Sequence, residues 1–314
     1  MSAYRSSKAW QTPHILVYET NAIKVLQFSE GFGTPILVVP PQAGHHSNIA
    51  DYGPGQSLIE SAVNSSSASV FTVEWKSCTY VRRNENIEDL LQQLGEAIYA
   101  TGNKATLIGL CQGGWLAAIY AALYPAHVES LVIAGAPIDT KVGKSSLHKA
   151  VKMPMLMYRS TVMMGFGLMP GHTMLQAWKS SNMFKHYVKR YINPSAETNR
   201  FYKWYDHTQD LAGGWYLWAI RELFKKNKLG KNALYVGKKH VDLHMLQKLN
   251  SVRIVTGKKD DISPAEQSLA LNRYVMTTAY EVDAGHIGVF MSRRGIREIW
   301  NPLFAEMNYT TKAA

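Results

Sequence analysis

The sequence predicts an α/β fold, in which a mostly parallel central sheet is flanked by helices and interrupted by a mainly helical cap. Short apolar runs alternate with helical patterns through residues 15–139, and the alternation resumes after residue 247. Such alternation is typical of a parallel sheet with crossover helices. Residues 140–247 instead carry long helical patterns rich in Met, Trp and Tyr. We therefore expect a sheet domain made of residues 1–139 and 248–314, and an inserted cap made of residues 140–247.

The elements of the sheet domain are predicted in chain order from their apolar patterns. Residues 15–18 and 22–28 favour a leading hairpin, and PILVV at 35–39 is a continuous apolar run, typical of a strand buried on both faces. Further strands are expected at 70–75, 105–108, 128–136, 252–256 and 280–282. Helices are expected near 55–63, 87–100 and 293–304, and an Ala-rich helix follows the turn after residue 108.

Length and composition limit the class of protein. A chain of 314 residues with 46% hydrophobic composition can bury a large core. Its two cysteines, Cys78 and Cys111, form no oxidative framework, which favours a reducing compartment. The first 14 residues lack the apolar stretch of a signal peptide. The sequence contains no run of 18 apolar residues, so no transmembrane segment is expected. These features predict a cytoplasmic location.

The charge of the chain is concentrated in the predicted cap. The formal net charge is +11, and residues 140–250 hold 19 Lys and Arg against 5 Asp and Glu. A basic surface attracts anionic ligands such as acyl-CoA, although a solvated helical surface explains the same pattern. No recognisable nucleic-acid module accompanies the charge, so no nucleic-acid partner is expected. A homodimer is left open by the sequence.

A lone cysteine lies at the turn in LIGLCQGGWLAAIYAA, residues 107–122. Strand, tight turn and helix with a nucleophile at the turn is the geometry of the nucleophile elbow, whose usual pattern is G-x-S-x-G. Here Cys111 stands in the position of the serine. By itself, a cysteine is more often a small buried apolar residue than a nucleophile.

Two later loops supply the other residue types that a nucleophilic cysteine needs. The strand at 252–256 is followed by Asp260 and Asp261, and the strand at 280–282 by His286. Nucleophile, acid and histidine is the chain order of α/β-hydrolase triads. In such triads the histidine takes the proton of the nucleophile, and the acid orients the histidine ring. We choose Asp260 over Asp261 because it lies nearer the strand end.

An oxyanion hole and substrate contacts are expected beside the elbow. One N–H is that of Gln112, immediately after the nucleophile. The second should come from the loop after residue 39, where Pro41 cannot donate and Gln42 or Ala43 can. His45, His46 and Trp115 are candidate substrate contacts. No cofactor and no metal site are predicted, because the adjacent histidines lack nearby carboxylates or cysteines to complete a ligand set.

Several segments resemble one family of enzymes. GLCQGG (109–114), ESLVIAGAPID (129–139) and GHIGVF (285–290) resemble polyhydroxyalkanoate synthases, especially the short two-subunit class. PPQAGHH (40–46), FYKWYDHTQDLAGGWYL (201–217) and GKKDDIS (257–263) are similar to intracellular polyhydroxybutyrate depolymerases. The resemblance spans residue 35 to the C-terminus. It implies an α/β-hydrolase fold with Cys111 as the acyl acceptor, His286 as the base and Asp260 as its partner.

Two activities share this chemistry, and a third interpretation is not catalytic. The first is a cysteine-dependent ester hydrolase that forms an acyl-thioester on Cys111 and acts on 3-hydroxyalkanoate polyesters, oligomers or related short esters. The alternative is a synthase-type acyltransferase that uses 3-hydroxyacyl-CoA. The third is a ligand- or granule-binding protein on the same scaffold. The sequence favours hydrolysis, because most enzymes of this fold hydrolyse esters. A polyester substrate would place the protein at a granule.

Overall fold

An eight-stranded sheet forms the centre of the protein in the computed structural model, which describes residues 10–181 and 196–310. Its strands are β1 (Ile15–Glu19), β2 (Ile23–Ser29), β3 (Ile36–Val39), β4 (Val70–Trp75), β5 (Ala105–Leu110), β6 (Val128–Ala134), β7 (Ser251–Gly257) and β8 (Thr278–Val282). Their order is β1-β2-β4-β3-β5-β6-β7-β8. β1 and β2 pair antiparallel, as do β2 and β4, and every other neighbouring pair is parallel. The predicted mostly parallel sheet is confirmed.

The helices cover both faces of the sheet. They are α1 (Leu58–Ser65), α2 (Ile87–Ala100), α3 (Gln112–Leu123), α4 (Leu147–Val151), α5 (Met155–Met164), α6 (Gly171–Ser181), α7 (Ala196–Tyr205), α8 (Gly213–Ala219), α9 (Ala265–Leu269), α10 (Gly288–Met291) and α11 (Asn301–Thr310). Helical turns at Ile220–Lys225, Arg293–Gly295 and Ile296–Trp300 extend α8 and lead into α11. None of the helices in the described ranges is long and apolar enough to cross a membrane.

The central strands divide the apolar core into two clusters, one on each face. All residues of β3 and β5 are buried, which explains why residues 35–39 read as a continuous apolar run. Alternate residues of β3 contribute to opposite clusters: Leu37 and Val39 pack with α2 and α3, whereas Ile36 and Val38 pack with α1 and α11. This alternation is the period of two that side chains follow along a strand.

Local signals set the ends of individual elements. The helix expected near residue 55 begins at Leu58, because the Ser57 side chain caps it by accepting a hydrogen bond from the Glu60 N–H. β5 extends two residues beyond the predicted end, to Leu110, so that Cys111 follows the strand directly. Asn86 and Asp89 form a reciprocal capping box at the start of α2.

The segment predicted as the cap contains α4 to α8 and two short antiparallel strand pairs in its described part. Its last part packs on the sheet domain, because Leu229, Leu243 and Leu246 belong to the same apolar cluster as α3. The division at residues 139/140 and 247/248 stays a prediction. Residues 182–195 of the predicted cap and residues 1–9, where a signal peptide was not expected, lie outside the described residues.

Candidate active site

Cys111 occupies a sharp turn between β5 and α3. Its backbone has φ 50° and ψ −114°, a strained conformation for a residue with a side chain. The Cys111 N–H donates to the Ala134 carbonyl oxygen at 2.8 Å, and the Gly114 N–H donates to the Cys111 carbonyl oxygen at 3.0 Å. Strained backbone at a strand-to-helix turn is the mark of a nucleophile elbow. The side chain is only partly buried.

Glycines around Cys111 are required by close backbone contacts. A Cβ atom on Gly113 would lie 1.9 Å from the Val39 carbonyl oxygen, and one on Gly109 would lie 2.5 Å from the Gly113 carbonyl oxygen. A Cβ atom on Gly114 would lie 2.5 Å from the Cβ of Ala136. The glycines therefore let the first turn of α3 pack directly against the ends of β3 and β5.

His286 and Asp260 meet at the carboxyl edge of the sheet. His286 Nδ1 lies 2.7 Å from Asp260 Oδ2, so Nδ1 carries a proton and donates a hydrogen bond to the carboxylate. The other oxygen, Oδ1, accepts hydrogen bonds from the N–H groups of Ile262 at 2.9 Å and Ser263 at 2.8 Å. Asp260 is 5% exposed, whereas the neighbouring Asp261 is exposed. The structure thus brings Asp260, and not Asp261, to the histidine.

The environment of His286 favours the protonated imidazole. Burial alone would lower the pKa of His286, but the charge of Cys111 and hydrogen bonds with Asp260 and Cys111 outweigh burial and raise the pKa above 6.5. Gly135 leaves space for the ring, since a Cβ there would lie 3.3 Å from His286 Cε1. Phe290 packs its edge against the ring at 5.3 Å between centroids. His286 is therefore held between Asp260 and Cys111, where the ring can take the thiol proton and keep it as an imidazolium between the carboxylate and the thiolate.

The second cysteine has a different environment. Cys78 is 4% exposed, and burial raises the pKa of its thiol to about 11. We expect iodoacetamide at pH 8 to alkylate Cys111 and leave Cys78 unmodified, because only about one Cys78 thiol in a thousand is ionised there. Peptide mass mapping after timed quenching measures both rates. Labelling of Cys78 should increase as the pH rises towards 11, and labelling of Cys78 before Cys111 at pH 8 would contradict the expectation.

The loop after β3 differs from the prediction in one respect. The N–H groups of Gln42 and Ala43 both donate to Oε1 of the Gln112 side chain, at 2.6 Å and 2.8 Å. The sequence predicted that the Gln42 N–H would face the substrate oxygen directly. Instead, the side chain that follows the nucleophile accepts both candidate donors, because the first turn of α3 packs against this loop.

Aromatic side chains of α7 pack against the loop that follows β3. Trp204 is 3% and Tyr205 is 2% exposed, and both belong to the apolar cluster against which Cys111 packs. The ring of His45 lies 4.5 Å from each of these two rings. The Gln209 N–H donates to the Gly44 carbonyl oxygen and fixes the cap segment to the loop. The aromatic run FYKWY (201–205) was the available signal for these residues, and sequence reasoning assigned them no role.

Two residues expected to contact substrate lie elsewhere. Trp115 is 2% exposed and packs in the core cluster between α3 and α2. His46 is 2% exposed, and its Nδ1 accepts the Asn48 N–H as the cap of a short helical turn. Trp115 therefore contributes to core packing, and His46 caps a local helical turn. We therefore leave Trp115 and His46 out of the proposed substrate site and retain His45.

A family model described as "PHB de-polymerase C-terminus" matches residues 146–311, more than half of the chain. The poly(3-hydroxyalkanoate) polymerase subunit PhaC of Haloferax mediterranei is 24% identical over 96% of this chain, which spans 65% of that protein. The polymerase subunit PhaC of Synechocystis sp. is also 24% identical, over 92% of this chain and 82% of that protein.

Solved structures support the fold. A Bacillus megaterium epoxide hydrolase superposes with a TM-score of 0.61 at 15% identity, covering 94% of this chain and all of that one. A carboxylesterase structure from Nitrososphaera gargenis gives a TM-score of 0.58 at 16% identity, covering 96% of this chain and 100% of that one. The predicted α/β-hydrolase fold is confirmed. Together with the polymerase relatives, these structures indicate an α/β-hydrolase-fold enzyme.

Proposed function

The chain belongs to the PHB de-polymerase C-terminus family, and among the activities that share this fold and triad we propose that it is a cysteine-dependent acyltransferase. It would take a 3-hydroxyacyl group from a coenzyme A thioester onto Cys111 and pass it to the hydroxyl of a growing polyester. The observation that carries this proposal is the similarity to poly(3-hydroxyalkanoate) polymerases along nearly the whole chain. The sequence alone favoured hydrolysis, and these relatives favour the alternative.

The burial of the residues around Cys111 favours transfer to an alcohol rather than hydrolysis. An acyl-thioester that waits for an alcohol must be protected from water, because water would release the acid. Asp260 and His286 are 5% and 9% exposed, and Cys111 is partly buried against an apolar cluster that includes Trp204 and Tyr205. A hydroxyl carried on an apolar polyester chain can enter such surroundings at lower cost than water.

The first half-reaction would load the acyl group onto Cys111. His286 accepts the thiol proton at the nitrogen opposite Asp260, and the sulfur attacks the thioester carbonyl. The tetrahedral intermediate collapses by expelling the coenzyme A sulfur, which takes the proton from His286. The Asp260 carboxylate keeps the ring in its tautomer and stabilises the imidazolium, which is consistent with the raised pKa of His286.

The second half-reaction would transfer the acyl group. The hydroxyl of the acceptor chain gives its proton to His286 while its oxygen attacks the Cys111 thioester. Collapse of the second intermediate breaks the sulfur–carbon bond, and the proton returns from His286 to the sulfur. The acceptor is then longer by one 3-hydroxyacyl unit, and its new terminal hydroxyl is ready for the next cycle.

The charge of the cap is consistent with a phosphate-bearing thioester. The excess of Lys and Arg in residues 140–250 produces a positive field, and coenzyme A carries several phosphate charges. Ester hydrolysis is the second candidate, favoured by the family description as a depolymerase. It differs in both partners of Cys111: an ester of the polyester chain would replace the coenzyme A thioester as acyl donor and expel an alcohol, and water would replace the polyester hydroxyl as acceptor.

One experiment separates the two activities. The purified protein is given 3-hydroxybutyryl-CoA in one assay and a hydroxybutyrate oligomer in another, with Cys111→Ala as the control. We expect coenzyme A release with formation of polymer, measured by thiol titration and by chromatography of the product, and no turnover by the variant. Cleavage of the oligomer without polymer from the thioester would establish hydrolysis instead. Equal activity of Cys111→Ala would exclude Cys111 as the nucleophile.

A further inference from the structure

The side chain of Gln112, the residue directly after the nucleophile, contacts the loop that should supply the second oxyanion donor. Its Oε1 accepts hydrogen bonds from the N–H groups of Gln42 and Ala43 at 2.6 Å and 2.8 Å. Both loop donors that could stabilise an oxyanion are therefore already used. A substrate oxygen cannot receive a full hydrogen bond from the Gln42 N–H while Gln112 Oε1 occupies that position.

The other end of the same amide has no partner. Gln112 is 6% exposed, and its Nε2 makes no hydrogen bond within the ranges that the structure describes. A buried amide N–H without a partner costs about 1–3 kcal/mol, so such groups in native proteins call for an explanation. Because Nε2 belongs to the same rigid amide as the anchored Oε1, the two loop hydrogen bonds also restrict the position of Nε2.

The position of Gln112 in the sequence places this unpartnered donor on the residue that follows the nucleophile. Gln112 is the first residue of the 12-residue helix α3, directly after Cys111, and its backbone N–H has no helical carbonyl to bond. Gly113 brings this turn against Val39, which sets the Gln112 side chain beside the loop at 40–43. Within the described ranges, Gln112 therefore carries a backbone donor directly after the nucleophile and a side-chain donor without a partner.

We propose that Gln112 supplies both oxyanion donors, its backbone N–H and its side-chain Nε2, while Gln42 and Ala43 position that side chain. The proposal rests on the proposed acylation of Cys111. When the sulfur forms its bond to the carbonyl carbon, the π pair of the carbonyl moves to oxygen, and the thiol proton goes to His286. Nε2 donates to this oxyanion, and collapse of the intermediate returns the pair to the carbonyl as the leaving group departs.

Two substitutions separate this role from positioning alone. Gln112→Met keeps the length of the side chain, removes Nε2 and releases the Gln42 N–H. Gln112→Glu keeps an acceptor for both loop N–H groups but replaces the Nε2 donor by an oxygen. The matched control is Gln93→Met, because Gln93 is an equally buried glutamine on α2 with an unpartnered side-chain oxygen. Thermal unfolding of each variant shows whether it is folded.

The measurement compares two reactions of the same thiol. p-Nitrophenyl butyrate acylates Cys111 through an oxyanion, whereas iodoacetamide alkylates it by displacement at carbon without one. Loss of one oxyanion donor lowers acylation by roughly 100- to 1000-fold in enzymes. We expect both Gln112 variants to lose about this factor in the ratio of acylation rate to alkylation rate, and Gln93→Met to keep the ratio of the wild type.

Three other outcomes decide against the proposal, and a fourth decides only against the proposed function. Retained acylation by Gln112→Met would assign the second donor to the released Gln42 N–H. A parallel fall of both rates would mean that Gln112 positions Cys111 and does not stabilise the oxyanion. Wild-type protein that is alkylated but never acylated would overturn this proposal and the proposed function together. Wild-type protein that is acylated but makes no polymer would overturn only the proposed function, and the rate ratio would still test Gln112.

Discussion

Asp260→Asn should lower turnover by about four orders of magnitude, the size of effect found when the acid of a serine-protease triad is changed to its amide. Asp260 Oδ2 accepts a hydrogen bond from His286 Nδ1–H at 2.7 Å, and the carboxylate helps to raise the pKa of His286. The amide of Asn has the same shape as the carboxylate but no charge. Its NH2 group donates hydrogen bonds, so the Nδ1 atom that faces it must be a deprotonated acceptor. The proton then sits on the nitrogen that must accept the thiol proton. Steady-state release of coenzyme A from 3-hydroxybutyryl-CoA measures the loss.

The adjacent acid provides a matched control. Asp261 is exposed, and its carbonyl oxygen, which the substitution leaves in place, accepts the Ser146 N–H at 2.7 Å. Asp261→Asn should therefore change turnover by less than about twofold, as surface substitutions away from special features do. Equal losses in the two variants would mean that the loop as a whole matters and that Asp260 has no specific role in orienting His286.

Much of the sheet could be predicted from local pattern, because burial on both faces produces continuous apolar strands. The runs at 35–39 and 105–108 correspond to β3 and β5, whose residues are all buried. The chain order of Cys111, Asp260 and His286 also located the cluster, since the carboxyl ends of parallel strands share one edge. Asp260 could be preferred over Asp261 by its spacing, but only the hydrogen bond to His286 distinguishes the two carboxylates.

Side-chain direction and contacts between distant segments could not be predicted in the same way. Trp115 lies four residues after Cys111, yet α3 is apolar on all sides, so the sequence does not show which face reaches the site. The Gln112 contact depends on how closely α3 approaches the loop at 40–43, which no local pattern specifies. The contacts of Trp204 and Tyr205 with His45 join parts of the chain that are far apart in sequence.

Gly113→Ala should destabilise the fold, although helix propensity favours the opposite result. Alanine is better than glycine in a helix interior by about 1 kcal/mol. A Cβ atom at position 113, however, would lie 1.9 Å from the Val39 carbonyl oxygen and 2.9 Å from that of Pro40. Both are backbone atoms at the end of a central strand and cannot rotate away. Overpacking of this kind costs about 1–3 kcal/mol, occasionally more, so the steric cost should exceed the gain in propensity.

Gly95→Ala is the matched control for this effect, because Gly95 also lies inside a helix. There the nearest atom to a new Cβ is the Tyr120 hydroxyl at 3.1 Å, a contact that a shift of a few tenths of an ångström relieves. Urea unfolding should show a lower free energy of unfolding for Gly113→Ala and a change within about 1 kcal/mol for Gly95→Ala. The folded fraction of Gly113→Ala should also acylate slowly, because movement of α3 away from β3 displaces Gln112 from the loop. A stable and fully active Gly113→Ala would show that this contact does not hold the elbow in place.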